Sequence, residues 1–108
     1  MQNQNVQEGK TMAVISYFTW IGTLIAFIMN NEKHNSFAAF HIRQMIGLSL
    51  SSFLTGFLSK YIGDMGFGII GIILFILWII GFMGAVQGQE KRIPLLGDLF
   101  QDWFKGIG

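Results

Sequence analysis

The chain contains no cysteine, which removes disulfides, thiolate metal sites and cysteine nucleophiles together. Proline occurs once, at Pro94, so almost nothing in the sequence forbids long helices. Charge is scarce: Asp, Glu, Lys and Arg make up 12% of the 108 residues, about half the usual share. The charges that exist are also confined. Residues 11–29, 44–59 and 65–89 contain none. A soluble helix needs charge on its outer face, so an outer face without charge is one that meets lipid. With a net charge of +1 and no basic run longer than Lys91-Arg92, there is no electrostatic footprint for nucleic acid.

What is present is apolar, at 52% of residues and a mean hydropathy of +0.52. The length suits a single domain. The sequence predicts an all-α integral membrane protein with three transmembrane helices and a short C-terminal amphipathic helix lying in the interface. Residues 1–10, MQNQNVQEGK, read as a polar and frayed tail, followed by a single helical membrane domain over 11–108. No small-residue cleavage pattern follows the first apolar run, which therefore reads as a retained span rather than a signal peptide.

The first span is expected over 11–29, roughly 28 Å as one helix against a hydrocarbon core of about 30 Å. NNEKHN (30–35) is a polar loop, and Ser36 is the expected N-cap of the next helix. The second span is expected over 37–61, longer than the core requires, with its surplus turns held in the interface by Phe37 and Phe40. GDMG (63–66) reads as a tight turn into the third span, 65–87. That run is too long for a strand, and lipid demands internally satisfied backbone groups. The tail from Pro94 is expected to form a helix over 94–107. It places Leu96, Leu99, Phe100, Trp103 and Ile107 on one face, with Trp103 at headgroup depth.

The spans carry polar and small seams. Ser16, Thr19, Thr23, Ala26 and Asn30 share a face of the first, and His41, Gln44, Ser52, Thr55 and Ser59 share a face of the second. Gly81-x-x-x-Ala85 and Gly84-x-x-x-Gly88 mark the third. Small residues let membrane helices approach closely, and hydroxyls and amides bond across the contact. Intramolecular packing is the plain reading of these seams, and a pore or substrate path is the other.

FAAFHIRQMIGLSL (37–50) puts His41 and Arg43 at the threshold of an apolar run. A zinc site needs three or four ligands. His34 and His41 are about 10 Å apart along one helix, and they converge only if His34 lies in the loop, with Glu32 or Glu90 as a third ligand. A hydrolase would need a serine within reach of His41. Ser49 and Ser52 lie two or three turns deeper, and there is no GxSxG elbow. The interface reading accounts for more: Arg43 is expected to snorkel as a lipid anchor. His41, on the polar face, is expected to donate and accept one hydrogen bond each, toward the first span or toward residues 88–94.

The same stretch carries a resemblance. FAAFHIRQMIGLSL is similar to the phenylalanine-histidine-alanine-arginine-glutamine opening of the second span in a large bacterial membrane family of unknown function. That family is related to the twenty-kilodalton Tic component of chloroplast protein import. Phe40, His41, Arg43 and Gln44 match, with Ile42 where alanine is common. LWIIGFMGAVQGQEKRIPLLGDL resembles the family's closing pattern through Gly88 and Pro94. The resemblance covers about residues 11–100 and implies a small helical membrane protein, part of a larger assembly, with no assigned chemistry.

The expected function is that of a non-enzymatic packing subunit of a membrane assembly, linked to transport or protein translocation. The alternative is a small oligomeric channel or transporter lined by the polar face of the second span. Expected partners are the lipid bilayer and either further copies of the chain or other membrane proteins, with no nucleic acid, cofactor or metal. A bacterial cytoplasmic membrane is the expected location. With three spans, Lys33, Arg43, Lys91, Arg92 and Lys105 outnumber Lys10 and Lys60 on the opposite side, which predicts a cytoplasmic C-terminus and an external N-terminus.

Overall fold

Five helices build the structure, a computed structural model that describes residues 3–94 and 96–106, with side chains from residue 6 onward. In chain order they are α1 (Asn3–Ser16), α2 (Trp20–Lys33), α3 (Ser36–Phe57), α4 (Ser59–Gln87) and α5 (Gly97–Trp103). The all-α expectation holds among the described residues.

The first departure lies inside the first expected span, which is broken at residues 17–19. Thr19 takes up an extended conformation, and its hydroxyl accepts from the amides of Ile21 and Gly22, capping a new helix. Behind it, Thr23 Oγ1 donates to the Ser16 carbonyl at 2.7 Å, fastening the start of α2 to the end of α1. Gly22 lies against the backbone carbonyl of Ile15, Met12 clusters with Ala26, and Gly9 abuts the Asn35 side chain. These pairings run antiparallel, so α1 folds back along α2 as a helical hairpin. Residues 3–10, expected to be a frayed tail, form the outer part of α1, with Val6 packed on the core. Residues 1 and 2 lie outside the described residues.

Asn30 and Asn35 close the loop into α3. The Asn30 side chain donates to the Asn35 carbonyl at 3.1 Å and accepts the Asn35 amide at 2.8 Å. Asn35, rather than Ser36, caps α3 by accepting from the Ala38 amide. His34 takes the left-handed conformation that ends α2. α3 ends at Phe57, but Leu58 keeps near-helical angles (φ −89°, ψ 1°) and the Ile62 amide donates to the Leu58 carbonyl at 3.2 Å, so the helical path of the second expected span runs on to Ile62. Chain reversal falls at Gly63, whose φ of 77° and ψ of 173° separate the two helical stretches grouped as α4, so the turn expected at 63–66 lies where the sequence placed it.

α3 and α4 run antiparallel, Met45 and Leu48 of one packing with Leu77 and Ala85 of the other. Residues 37–48 of α3 are buried apart from half-buried Arg43 and Ile46, whereas none of residues 49–76 is buried. The covering elements α1, α2 and α5 therefore all sit on one half of the α3–α4 pair. The other half shows Phe53, Phe57, Tyr61, Met65 and Ile72 to its surroundings. The molecule measures 46 × 23 × 22 Å. Of the described helices, only α4 is long and apolar enough to cross a membrane by length and composition.

The C-terminal helix is also shorter than expected. Pro94 sits in a turn closed by Gly97 N–H to Ile93 O at 3.0 Å, and α5 begins three residues later. Its apolar face divides: Phe100 is buried over Gly47, where a Cβ would collide with the ring, while Leu99 and Trp103 stay exposed. Gln101 donates to the Phe40 carbonyl at 2.8 Å. α5 is thus docked on α3 rather than lying free in the interface. Ile107 lies outside the described residues.

The hairpin depends on backbone contact at Gly22. Gly22→Ala drives a methyl into the Ile15 carbonyl, at a cost of about 1–3 kcal/mol, whereas Gly71→Ala meets open space. Thermal unfolding in mild detergent, followed by circular dichroism, should show a lower melting temperature for the first variant and none for the second.

Candidate functional site: a buried polar relay between the helices

Four polar side-chain contacts meet at the centre of the covered half. His41 Nε2 lies 2.9 Å from the Gln89 carbonyl, and His41 Nδ1 lies 2.7 Å from Tyr17 Oη. Gln44 Nε2 lies 2.9 Å from the same Tyr17 oxygen, and Gln44 Oε1 accepts from the Ile93 amide at 2.8 Å. Tyr17, His41 and Gln44 each have 0% exposure, so each donor and acceptor must find its partner inside the protein.

The directions follow from the two ends. A carbonyl only accepts, so Nε2 of a neutral His41 carries the proton and Nδ1 offers a lone pair. Tyr17 must then donate to Nδ1. At the other end a backbone amide only donates, so the Gln44 oxygen faces Ile93 and its NH₂ faces Tyr17. The result is one consistent series: Ile93 N–H to Gln44, Gln44 to Tyr17, Tyr17 to His41, His41 to the Gln89 carbonyl. It joins the end of α1, two successive turns on one face of α3 and the strap between α4 and α5.

Packing holds the relay in place. The His41 ring meets Phe37, Phe40 and Tyr17 edge-on at centroid distances of 4.9, 5.0 and 5.4 Å, geometries that favour the aromatic quadrupole. Gly81 leaves room for the Tyr17 ring, whose hydroxyl would lie 2.7 Å from an added Cβ. Gly84 leaves room for the returning strap: a Cβ added there would lie 2.9 Å from Lys91 Cβ and 3.3 Å from the Gln89 oxygen. Gly88, at φ 75°, ends α4 with its amide on Ala85 O and the Gln89 amide on Gly84 O. This left-handed cap, which favours glycine, turns the Gln89 carbonyl toward His41. The small residues of α4 thus accommodate a tyrosine and a strap.

The remaining sequence candidates lie elsewhere. Arg43 Nη2 donates to the Lys105 carbonyl at 3.2 Å, so it bonds the segment that follows α5 and not solely lipid headgroup. Ser52 is exposed; Thr55 is half-buried and bonds back to Ser51 O; Ser59 opens α4 and bonds back to Gly56 O. The polar face of α3 therefore divides, His41 and Gln44 entering the relay while Ser52 and Thr55 border an open groove of about 450 Å³ with Thr19, Trp20 and Trp78. Gly81, Gly84 and Gly88 converge on the relay, whereas Pro94 and Trp103 are exposed and outside it. Among the described residues, no three His, Asp or Glu side chains are grouped to hold a metal ion.

Tyr17 is the relay residue that sequence reasoning missed. It lies within an apolar run, and its one signal was that it breaks the periodicity of small residues between Ser16 and Thr19. Gln89 and Ile93 act through backbone atoms and leave no mark in the sequence.

Buried polar bonds serving helix contacts, an apolar exterior and charges gathered at one end define a small helical membrane protein. Residues 8–100 match the magnetosome magnetite crystal formation protein family, and the chain belongs to that family. It is also similar to three archaeal proteins named UPF0132 membrane proteins. Two are from Methanocaldococcus jannaschii, at 29% identity over 80% of this chain and 62% of the relative, and at 32% over 67% of each. The third, from Archaeoglobus fulgidus, is 27% identical over 86% of this chain and 92% of its own length. The chain thus spans less than two thirds of the first of these relatives. No solved structure matches it. These likenesses carry an uncharacterised membrane family; they carry neither the kinship to chloroplast import nor a bacterial origin.

The relay predicts a specific sensitivity. Tyr17→Phe removes one donor and one acceptor at once, and with interhelical bonds in membranes averaging roughly 0.6 kcal/mol the loss should be about 1–2 kcal/mol. Tyr61→Phe, at an exposed ring, should leave stability unchanged. Unfolding in detergent measures both.

Proposed function

We propose that the chain is a non-enzymatic packing subunit of an assembly in a prokaryotic cytoplasmic membrane. The observation that carries this reading is the division of the α3–α4 pair: one half is knitted by the relay, and the other presents a long apolar surface made of α3 and α4 alone. Both ring nitrogens of His41 are engaged in holding helices together, which suits a structural part. A role in transport or translocation has one supporting feature, the groove bordered by Ser49, Ser52 and Thr55, and that groove also favours the channel reading as the alternative. Participation in crystal formation would rest on the family's name.

In the proposed topology α3 and α4 cross the bilayer, and the α1–α2 hairpin dips in and returns. The turn is suited to a dry setting. The Tyr17 and Phe18 amides donate to Val14 and Ile15 carbonyls. The Ser16 hydroxyl donates to Ala13 O, and the Tyr17 carbonyl accepts from Trp78 Nε1. Irregular backbone at membrane depth persists where protein satisfies it in this way. The N-terminus then shares a side with the C-terminus, since Val6 lies by Gly88 and Gly9 by Asn35. This replaces the external N-terminus expected from three spans. Of the seven Lys and Arg residues, six lie at the covered end and Lys60 alone at the other, which favours a cytoplasmic covered end.

Reporters active on only one side of the membrane, fused separately to each terminus, should both report cytoplasm; opposite reports would remove the hairpin topology. Affinity purification in mild detergent should recover stoichiometric membrane partners or further copies of the chain. A monodisperse single chain that conducts ions in liposomes would favour the channel instead.

A further inference from the structure

The chain is wide at one end and narrow at the other, and the step between them falls at a definite depth. The tip of the α1–α2 hairpin is held against α4 at Trp78, whose Nε1 donates to the Tyr17 carbonyl at 2.8 Å. From Trp78 to the end of α4 at Gln87 is about 14 Å of helix, close to half of a hydrocarbon core of about 30 Å. Within that depth α1, α2 and α5 surround α3 and α4; beyond it only α3 and α4 continue, and none of residues 49–76 is buried. Glu32 and Lys33 at the end of α2, Lys91 and Arg92 in the strap, and Asp98 and Asp102 on α5 hold the wide end at the aqueous surface. The wide end therefore cannot slide deeper to even out the two leaflets.

We infer that this protein is a one-leaflet wedge that partitions into curved membrane with its wide, terminus-bearing end on the convex side. The inference rests on the hairpin topology proposed above. In a flat bilayer the wide half displaces more lipid area from its own leaflet than the narrow half displaces from the other. Lipid of the far leaflet must then fill the space beneath the exposed Phe18 and Trp20 at the hairpin tip. Bending the membrane toward the narrow end enlarges the near leaflet relative to the far one and relieves that misfit. Shallow insertions sense curvature on the same principle, and deformation around a mismatched body carries a free-energy cost that sorts proteins among membranes. Here the inserted element is bonded to the spanning pair by the relay, so the wedge is a fixed part of the fold.

The absence of cysteine makes the test direct. The full chain carrying Gln7→Cys or Asp102→Cys, both at exposed positions, is reconstituted into a mixed population of small sonicated and large extruded vesicles of phosphatidylcholine and phosphatidylglycerol. A membrane-impermeant fluorescent maleimide then reports density and orientation on single vesicles. The expected result is a several-fold higher protein density on small vesicles, with both cysteines labelled from outside there and near-random orientation on large ones. Equal densities with unbiased orientation, both cysteines still on one side of the membrane, would overturn the wedge and leave the topology standing. Labelling of the two positions from opposite sides would overturn the topology and the wedge with it. Tyr17→Phe in the same assay gives a second reading. A folded variant with a loosened hairpin should lose part of the enrichment, and unchanged enrichment would count against the relay-held hairpin as its source.

Discussion

The interaction on which the rest depends is the Tyr17 hydroxyl between His41 and Gln44. It donates to one and accepts from the other, and through them it reaches the Gln89 carbonyl and the Ile93 amide. Without Tyr17 at that point, this polar tie between the end of α1 and α3 would be lost, and both α3 side chains would keep an unmatched group in a buried setting. Apolar contacts give membrane helices little preference among partners, because lipid is as apolar as leucine. A closed series of directional bonds does give such a preference, and this one sets where α1 ends, how deep the strap lies and which face of α3 is covered.

The break at residues 17–19 follows the same physics. A helix through 11–29 would be favoured by length alone, but it would carry Tyr17 along the lipid face and leave His41 and Gln44 with no partner from the first segment. Breaking the helix exposes backbone groups, and the structure offsets that with the Thr19 cap, the Thr23-to-Ser16 bond and the Trp78 donor. Glycine marks the places where chain segments come closest: Gly22 against Ile15, Gly81 against Tyr17, Gly84 against the strap, Gly47 against Phe100. Each substitutes small volume for a longer contact distance, and together they let α1, α2, α5 and the strap pack on one half of the α3–α4 pair.

The covered half and the bare half make different demands. On the covered half, Asn30, Asn35, Gln44 and Gln101 are buried, and each has a bonded partner. On the bare half the hydroxyls of Thr55 and Ser59 bond back to carbonyls four and three residues earlier, those of Ser51 and Gly56, as isolated hydroxyls facing lipid must. The same residue types thus serve tertiary structure in one place and local satisfaction in the other.

The sequence by itself determined the class and the setting of this protein. Charge-free runs, scarce charge and a third apolar run of spanning length require helices in an apolar environment, because both signals are local and need no partner to be read. It also singled out His41 and Gln44, since two amide- and imidazole-bearing side chains on one face of a lipid-bound helix must bond to something. What only the tertiary structure decided was the partner and hence the topology. Tyr17 lies 24 residues from His41, Gln89 lies 48 from it, and two of the four bonds end on backbone atoms that every residue possesses. A span count taken from hydropathy cannot see a reversal held by such bonds, because groups far along the chain, Trp78 and His41, stabilise it together with the local Thr19 cap.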